Sequence, residues 1–391
     1  MTNKISWFEK NTAKTIMIFI VFILGCLELF SFMILMINDK IIHGVNFTEA
    51  GKFQKYDSHL LYNYKPNKNI TLRNWENNSK KSNPIKWSFD EYGFVKTSKP
   101  KYKNRDKNKP PIKVALFGGS TVFGVGATSI HHTIASYLQT SLNENNKNIN
   151  FEVINAGVRG YFSYFEYLKY LNHVRPLQPD IIIDLNGRND IYLILKKKLY
   201  DEFRTNHSKH LESKINEKNI FKKYIFPLIE ETLEYSNFFI FLERIYGKFF
   251  KNFIINRNLN SKTQKISALD KNDLKKRLNN YIYIMNNFQS SVENDNKRFY
   301  WFLQPVGHLY KTLSEEEKNL IKTPWTLEID KYKHNLLFSY NYISEKKLNL
   351  IDLSKLFIDN KRNIYIDDVH YNNTGNRLIA KKISEHILND Y

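Results

Sequence analysis

A serine that follows two glycines, Gly118-Gly119-Ser120, is placed where it could act as a nucleophile. It comes directly after a short apolar segment, residues 112–117, of the kind that forms a buried strand, and a helical pattern follows it. Glycines let the backbone approach a substrate closely, and the first turn of a helix favours negative charge beside it. Taken alone, the segment is equally typical of an ordinary turn or a phosphate-binding loop.

Two later segments carry groups that could stabilise negative charge. Gly157 and Gly160 follow a second apolar segment, and either could expose a backbone N–H. Asn189 lies in Gly187-Arg188-Asn189-Asp190 after a third apolar segment, and an asparagine on a turn can aim its side-chain N–H at a developing oxyanion. Each segment also fits an ordinary polar or glycine-containing turn.

A histidine near the end of the chain could act as a base. In Asp367-Asp368-Val369-His370, a carboxylate three residues ahead of the histidine can hold its Nδ1–H and leave Nε2 free to accept a proton. Asp368 is a rival for Asp367, although its spacing to the histidine is one residue short. A lone histidine is more often structural, but this one precedes the last helix, where a base for Ser120 would be needed.

The elements around these segments indicate an α/β fold. The predicted strands are residues 112–117, 151–155, 180–186, 298–304 and 348–353. Helical patterns alternate with them, which predicts a three-layer α/β/α sandwich with a five-stranded parallel sheet. Open parallel sheets bind ligands beyond the carboxyl ends of their strands, so we expect the four segments to meet at that edge.

The order of the segments resembles the SGNH/GDSL hydrolase superfamily. Gly-Ser, Gly, Gly-x-Asn-Asp and Asp-x-x-His follow one another as they do in that superfamily, and the resemblance covers about residues 110–390 without the helical insertion. It implies a flavodoxin-like sandwich. In the first segment Gly119 stands where the superfamily often has aspartate, and this Gly-Gly-Ser-Thr form resembles membrane-anchored bacterial members.

The resemblance also implies a role for each residue. Ser120 would be the nucleophile, His370 the general base and Asp367 the residue that orients it. The oxyanion would be held by the N–H of Ser120, the N–H of Gly160 rather than Gly157, and the side chain of Asn189. The implied activity is that of a serine esterase removing an acyl group, first of all an O-acetyl group, from an extracytoplasmic glycan or related ester. An O-acyltransferase with the same triad and a catalytically silent glycan-binding or assembly protein are the alternatives.

The N-terminal region predicts a membrane anchor. Residues 15–37 contain one charge, Glu28, and match the ~20 residues that span a bilayer as a helix. Lys4, Lys10 and Lys14 precede this segment, which by the positive-inside rule places the N-terminus in the cytoplasm and the rest of the chain outside it. The segment is too long and too uniformly apolar for a cleaved signal peptide, and it stays apolar after Cys26, unlike a lipoprotein.

The remaining expectations concern the domain organisation, the partners and the cofactors. We expect a cytoplasmic N-terminus at 1–14, a transmembrane helix at 15–37, a lead-in and linker at 38–110, and a hydrolase-like domain at 111–391 with a helical insertion at about 196–290. The net charge of +20 suits anionic surroundings, but no nucleic-acid-binding motif accompanies it, so nucleic acid is not an expected partner. A single cysteine excludes intramolecular disulfides and zinc sites built on several cysteines. We expect no cofactor and no metal, and the sequence leaves the oligomeric state open.

Overall fold

The computed structural model describes most of the chain in several stretches. They are residues 10–41, 53–57, 60–72, 85–100, 110–146, 148–195, 270–321, 324–346 and 349–391. The chain divides into two compact units. The first contains Met1–Lys52 and Arg204–Ser267, and the second contains Phe53–Phe203 and Ala268–Tyr391. Most of the predicted helical insertion, residues 196–269, lies outside the described residues.

The described part of the first unit is one long helix, α1 (Thr12–Ile41). Its segment Thr12–Met33 has 22 residues with a mean hydropathy of 2.6, and 6% of the most apolar window is buried. Large apolar side chains such as Met17 and Phe22 are 65% and 67% exposed. At 1.5 Å per residue the segment is about 33 Å long, which is enough to cross a hydrocarbon core of about 30 Å.

The second unit begins with two hairpins. β1 (Gln54–Asp57) pairs antiparallel with β2 (Leu61–Tyr64), and β3 (Asn69–Leu72) pairs antiparallel with β4 (Ile85–Ser88). Four large aromatic side chains in or directly beside these hairpins are buried, namely Phe53, Tyr64, Trp87 and Phe89. This part of the predicted lead-in therefore contributes to the core of the unit, which its few apolar runs did not indicate.

The main sheet has five parallel strands. They are β5 (Ile112–Gly118), β6 (Phe151–Asn155), β7 (Ile181–Asn186), β8 (Arg298–Leu303) and β9 (Leu350–Asp352). Their spatial order is β6-β5-β7-β8-β9, with every neighbouring pair parallel. The predicted fold class is thus confirmed, and each predicted strand lies within three residues of the observed bounds.

Helices cover both faces of this sheet. They are α2 (Ser120–Phe123), α3 (Ile134–Asn145), α4 (Ser163–Lys169), α5 (Arg188–Leu195), α6 (Lys271–Asn294), α7 (Gly307–Tyr310), α8 (Glu315–Ile321), α9 (Pro324–Ser344) and α10 (Asn373–Leu388). On β5 the side chains of Val114 and Leu116 join one apolar cluster, with α3 and α10. Ala115 and Phe117 join another on the opposite face, with Phe288 of α6. Successive strand residues point to opposite faces, so burial on both sides explains the unbroken apolar segments.

Candidate active site

The turn after β5 places Ser120 at the carboxyl edge of the sheet. Gly118 has a φ of +153°, and a Cβ there would lie 2.6 Å from the carbonyl oxygen of Leu185. Gly119 precedes α2, so Ser120 is the first residue of a four-residue helix that ends at Gly124 with a φ of +114°. Only a residue without a side chain fits Gly118, because the neighbouring strand occupies the space that a Cβ would need.

Ser120, His370 and Asp367 form a continuous hydrogen-bonded chain. The Oγ of Ser120 lies 2.7 Å from Nε2 of His370, although the two residues are 250 positions apart. Nδ1 of His370 lies 2.6 Å from Oδ2 of Asp367. The structure therefore brings the predicted serine, histidine and aspartate together in the order that proton transfer from serine to histidine requires.

The local backbone holds Asp367 in the ionised form. Its Oδ1 accepts hydrogen bonds from the backbone N–H groups of Val369 and His370, at 2.9 and 2.7 Å. Burial acts to raise the pKa of Asp367, but the charge and hydrogen bond of His370 and these two N–H donors outweigh it and lower the pKa to about 2. A carboxylate that stays charged at neutral pH can stabilise a neighbouring imidazolium.

Asp368, the rival of Asp367, has a different partner. Its Oδ2 accepts a hydrogen bond of 2.9 Å from Nη2 of Arg188, and both side chains are buried. This ion pair joins the Asn189 segment to the His370 segment. Removing one partner of a buried ion pair leaves an uncompensated charge in the interior, which destabilises the fold. Asp368 therefore contributes to holding the two segments in place.

The two glycines of the second segment lie in different surroundings. The N–H of Gly157 donates to Oδ1 of Asn155, and a Cβ on Gly157 would meet the backbone of α2. Gly160 is exposed and has a φ of +81°, and within the described chain its N–H has no acceptor. Gly157 therefore serves close packing, whereas Gly160 has an N–H that could bind a ligand.

Asn189 lies directly beside the serine turn. Its Nδ2 donates to the carbonyl oxygen of Tyr161 at 2.6 Å. A Cβ built on Gly119 would collide with this same nitrogen. A side chain at position 119 would therefore require the amide of Asn189 to shift.

A buried carboxyl cluster behind the site is not apparent in the sequence. Glu166 and Asp184 are 1% and 0% exposed, and Nδ2 of Asn186 donates to both, at 3.1 and 2.9 Å. Asp190, next to Asn189, accepts from the backbone N–H and the Oγ of Ser163. Burial, followed by the repulsion between these carboxyls, raises the pKa of Glu166, and burial raises the pKa of Asp190 to about 6. The one signal in the sequence was polar Asp184 and Asn186 inside an otherwise apolar strand.

The carboxyl cluster makes stability depend on pH. A carboxyl whose pKa is raised by folding stabilises the fold fully below its unfolded pKa, and this contribution is lost as the pH rises through the folded value. We expect Glu166→Gln to have the unfolding temperature of the unmodified chain near pH 4 and one higher by on the order of 3 °C at pH 8. Thermal unfolding of the full chain in detergent between pH 4 and 8 measures this, with exposed Glu152→Gln as the control. A Glu166→Gln curve parallel to that of the unmodified chain would contradict the expectation.

Comparison with known proteins gives distant structural matches. No protein-family model and no curated protein matches the sequence. An acetyl xylan esterase is 17% identical and matches 71% of this chain and 100% of its own, with a TM-score of 0.36. A GDSL-like lipase from Bacteroides thetaiotaomicron is 10% identical over 72% of this chain and 89% of its own (TM-score 0.34). An acetyl-xylooligosaccharide esterase from Geobacillus is 12% identical over 70% and 93% (TM-score 0.35). Since all these scores are below 0.5, the interpretation of the site depends on its own geometry.

The fold brings the predicted segments to one edge of the sheet. A parallel α/β sandwich carries a serine after the first strand of the sheet and an aspartate–histidine pair before the last helix, and the two meet at the carboxyl edge. The second unit is therefore a parallel α/β sandwich with a hydrogen-bonded serine, histidine and aspartate, and the segments of Ser120, Gly160, Asn189 and His370 follow one another in the order that the sequence indicated.

Proposed function

We propose that this protein is a serine ester hydrolase with Ser120 as nucleophile, His370 as general base and Asp367 as the residue that orients the base. The observation that carries the proposal is the unbroken chain from Ser120 Oγ through both ring nitrogens of His370 to Asp367. An ordinary serine hydroxyl is a weak nucleophile at neutral pH and needs an adjacent base of this kind.

The mechanism proceeds in two halves. His370 Nε2 takes the proton of Ser120 Oγ while the oxygen attacks the ester carbonyl carbon, and the carbonyl electrons move to the oxygen. When the tetrahedral intermediate collapses, the bond to the alcohol breaks, and His370 gives its proton to the leaving oxygen. Water then attacks the acyl-serine with His370 again as base, which releases the carboxylic acid and restores Ser120.

Three donors are proposed to hold the oxyanion, namely the N–H of Ser120, the N–H of Gly160 and Nδ2 of Asn189. An amide nitrogen carries two hydrogens, so Asn189 can keep its bond to Tyr161 O and offer its second hydrogen to the oxyanion. The bond to Tyr161 fixes the side chain before substrate arrives, and such preorganisation makes an oxyanion donor effective.

Removing the Asn189 donor tests this arrangement. We expect Asn189→Ala to lower kcat by about 100-fold with a smaller change in KM, because the lost hydrogen bond is strongest in the transition state. Hydrolysis of a chromogenic acetate ester by the full chain measures both constants. Asn287→Ala, which removes an amide that donates to the carbonyl oxygen of Tyr283 on helix α6, is the control. Equal kcat values for Asn189→Ala and Asn287→Ala would exclude Asn189 from the oxyanion site.

We further propose that the substrate is an O-acetylated, anionic glycan outside the cytoplasm. Helix α1 is long and apolar enough to be a membrane anchor. The lysines that precede it favour a cytoplasmic N-terminus, so the second unit would lie outside. A net charge of +20 attracts anionic polymers. An acyltransferase would use the same residues but pass the acyl group to a second hydroxyl instead of water.

One experiment with the full chain in detergent tests both the serine mechanism and the glycan substrate. A fluorophosphonate probe should label the protein, and peptide mass spectrometry should place the label on Ser120. Acetate release is then compared between acetylated glycans and long-chain esters, with and without an added glycan acceptor. Labelling without acetate release, together with cleavage of long-chain esters, would refute the glycan substrate but keep the serine mechanism. Transfer of acetyl to the acceptor would assign the acyltransferase reaction.

A further inference from the structure

The first hairpin of the second unit contacts the loop that carries Gly160. The hydroxyl of Tyr62 donates to the carbonyl oxygen of Arg159 at 2.5 Å. The backbone N–H of Arg159 donates to the hydroxyl of Tyr64 at 3.0 Å. In return, the hydroxyl of Tyr161 donates to the carbonyl oxygen of Tyr62. Three hydrogen bonds therefore join β2 to residues 159–161, which lie nearly 100 positions away in the sequence.

We propose that Tyr62 and Tyr64 are positioning residues for the oxyanion site, because Tyr62 holds the peptide group whose N–H is the Gly160 donor and Tyr64 holds the peptide group before it. This inference rests on the proposed function. The carbonyl of Arg159 and the N–H of Gly160 belong to the same peptide unit, which is planar and trans. Its C=O and N–H point in opposite directions, so the hydroxyl that holds the Arg159 oxygen also sets the direction of the Gly160 N–H.

The conformation of Gly160 makes this restraint necessary. Its φ of +81° is accessible to glycine at little cost, and glycine readily adopts other backbone conformations as well. Without a partner for the Arg159 oxygen, the Arg159–Gly160 peptide could rotate and turn its N–H away from the proposed oxyanion position. The Tyr62 hydroxyl lies only 2.9 Å from where a Cβ on Gly160 would be, so it also limits the space for such a rotation.

The second hydroxyl restrains the preceding peptide. Tyr64 accepts the N–H of Arg159, so both peptide groups that flank Arg159 are held by hairpin hydroxyls. The Tyr64 side chain is fully buried, and its ring centroid lies 5.2 Å from that of Phe123 in α2, the helix that begins at Ser120. The hairpin thus connects the Gly160 loop with the helix of the nucleophile.

The chemistry of the tyrosines suits this role. Burial raises the pKa of Tyr62 to about 12, so its hydroxyl keeps the proton that it donates to the Arg159 oxygen. A hydrogen bond to the oxygen of a peptide group also polarises its N–H and strengthens that N–H as a donor. The rings of Tyr62 and Tyr161 pack edge to face with centroids 5.3 Å apart, which restricts the position of the Tyr62 hydroxyl.

The test removes one tyrosine hydroxyl at a time and measures the turnover of each site that reacts with a fluorophosphonate. Tyr62→Phe and Tyr64→Phe are made in the full chain, with Tyr92→Phe as a matched control, because Tyr92 is an exposed tyrosine of the adjoining segment. The fraction of sites that a fluorophosphonate labels at completion gives the number of folded sites. Hydrolysis of a chromogenic acetate ester then gives kcat per labelled site, and thermal unfolding reports stability separately.

We expect Tyr62→Phe to lower kcat per labelled site by roughly 10-fold with KM unchanged within about twofold, since a misdirected donor costs transition-state stabilisation. Tyr64→Phe should lower it less, and Tyr92→Phe should leave it unchanged. A normal kcat per labelled site in Tyr62→Phe would overturn the inference, even if fewer sites were labelled or the thermal stability fell. The hairpin would then have a purely structural role. If the unmodified chain shows no turnover that depends on Ser120, the proposed function fails, and the inference fails with it.

Discussion

Ser120→Ala is expected to lower kcat by about a millionfold and to abolish fluorophosphonate labelling. In the proposed mechanism the hydroxyl oxygen of Ser120 forms the covalent bond to the acyl group, and alanine has no atom that can form it. The residual rate would come from binding and the oxyanion donors, which act without the nucleophile. Hydrolysis of the acetate ester by the full chain measures the loss, with thermal unfolding as evidence that the variant is folded.

The activity loss of Ser120→Ala is best compared with the losses of His370→Ala and of the double variant. Serine and histidine act as one unit, so each single variant should lose about as much activity as the double variant. Ser141→Ala, which removes the hydroxyl of a serine that contacts Ser384 on the sheet-covering helices, is the matched control. Additive losses in the double variant, or full labelling of Ser120→Ala, would show that Ser120 and His370 do not act together.

Asp367→Asn is expected to lower kcat by about 10⁴-fold. Asparagine keeps the shape of aspartate, but it can donate to Nδ1 of His370 and so favour the wrong tautomer, with the proton on Nε2. Such a histidine cannot accept the proton of Ser120. The pH–rate profile of the full chain, compared with that of the unmodified protein, measures the loss across the neutral range.

Asp368→Asn is the matched control for Asp367→Asn. The two residues are neighbours and differ in their partners, because Asp368 binds Arg188 whereas Asp367 binds His370. We expect Asp368→Asn to reduce thermal stability through the weakened ion pair while kcat per labelled site falls less than about 10-fold. A larger loss of kcat in Asp368→Asn than in Asp367→Asn would reverse the assignment of the orienting carboxylate.

Much of the fold could be predicted from the sequence because its signals are local. A parallel strand buried on both faces has a nearly unbroken apolar run, as in residues 181–186, and such runs alternate with helical patterns along the chain. The hairpins before the sheet gave no such signal. Their buried residues are aromatic side chains scattered among lysine and asparagine, and they pack against residues far away in the sequence.

The choice between neighbouring candidates required tertiary contacts. Spacing to His370 favoured Asp367 over Asp368, and the tertiary structure shows that Asp367 contacts His370 while Asp368 binds Arg188 on another segment. Gly157 and Gly160 also differ in their contacts, since Gly157 packs against α2 and the N–H of Gly160 has no acceptor among the residues that the structure describes. Spacing along a chain limits which groups can meet, but hydrogen bonds between distant segments decide which of them do.

For this protein, the sequence by itself determined the apolar N-terminal helix, the parallel sheet and the identity of the serine, asparagine and histidine segments, because each depends on periodicity or on residues close together in the chain. The tertiary structure alone decided that Asp368 pairs with Arg188, that Asn189 lies against Gly119, and which tyrosines hold the Gly160 peptide. These contacts join residues from about 70 to 180 positions apart, and local sequence patterns do not predict contacts at such separations.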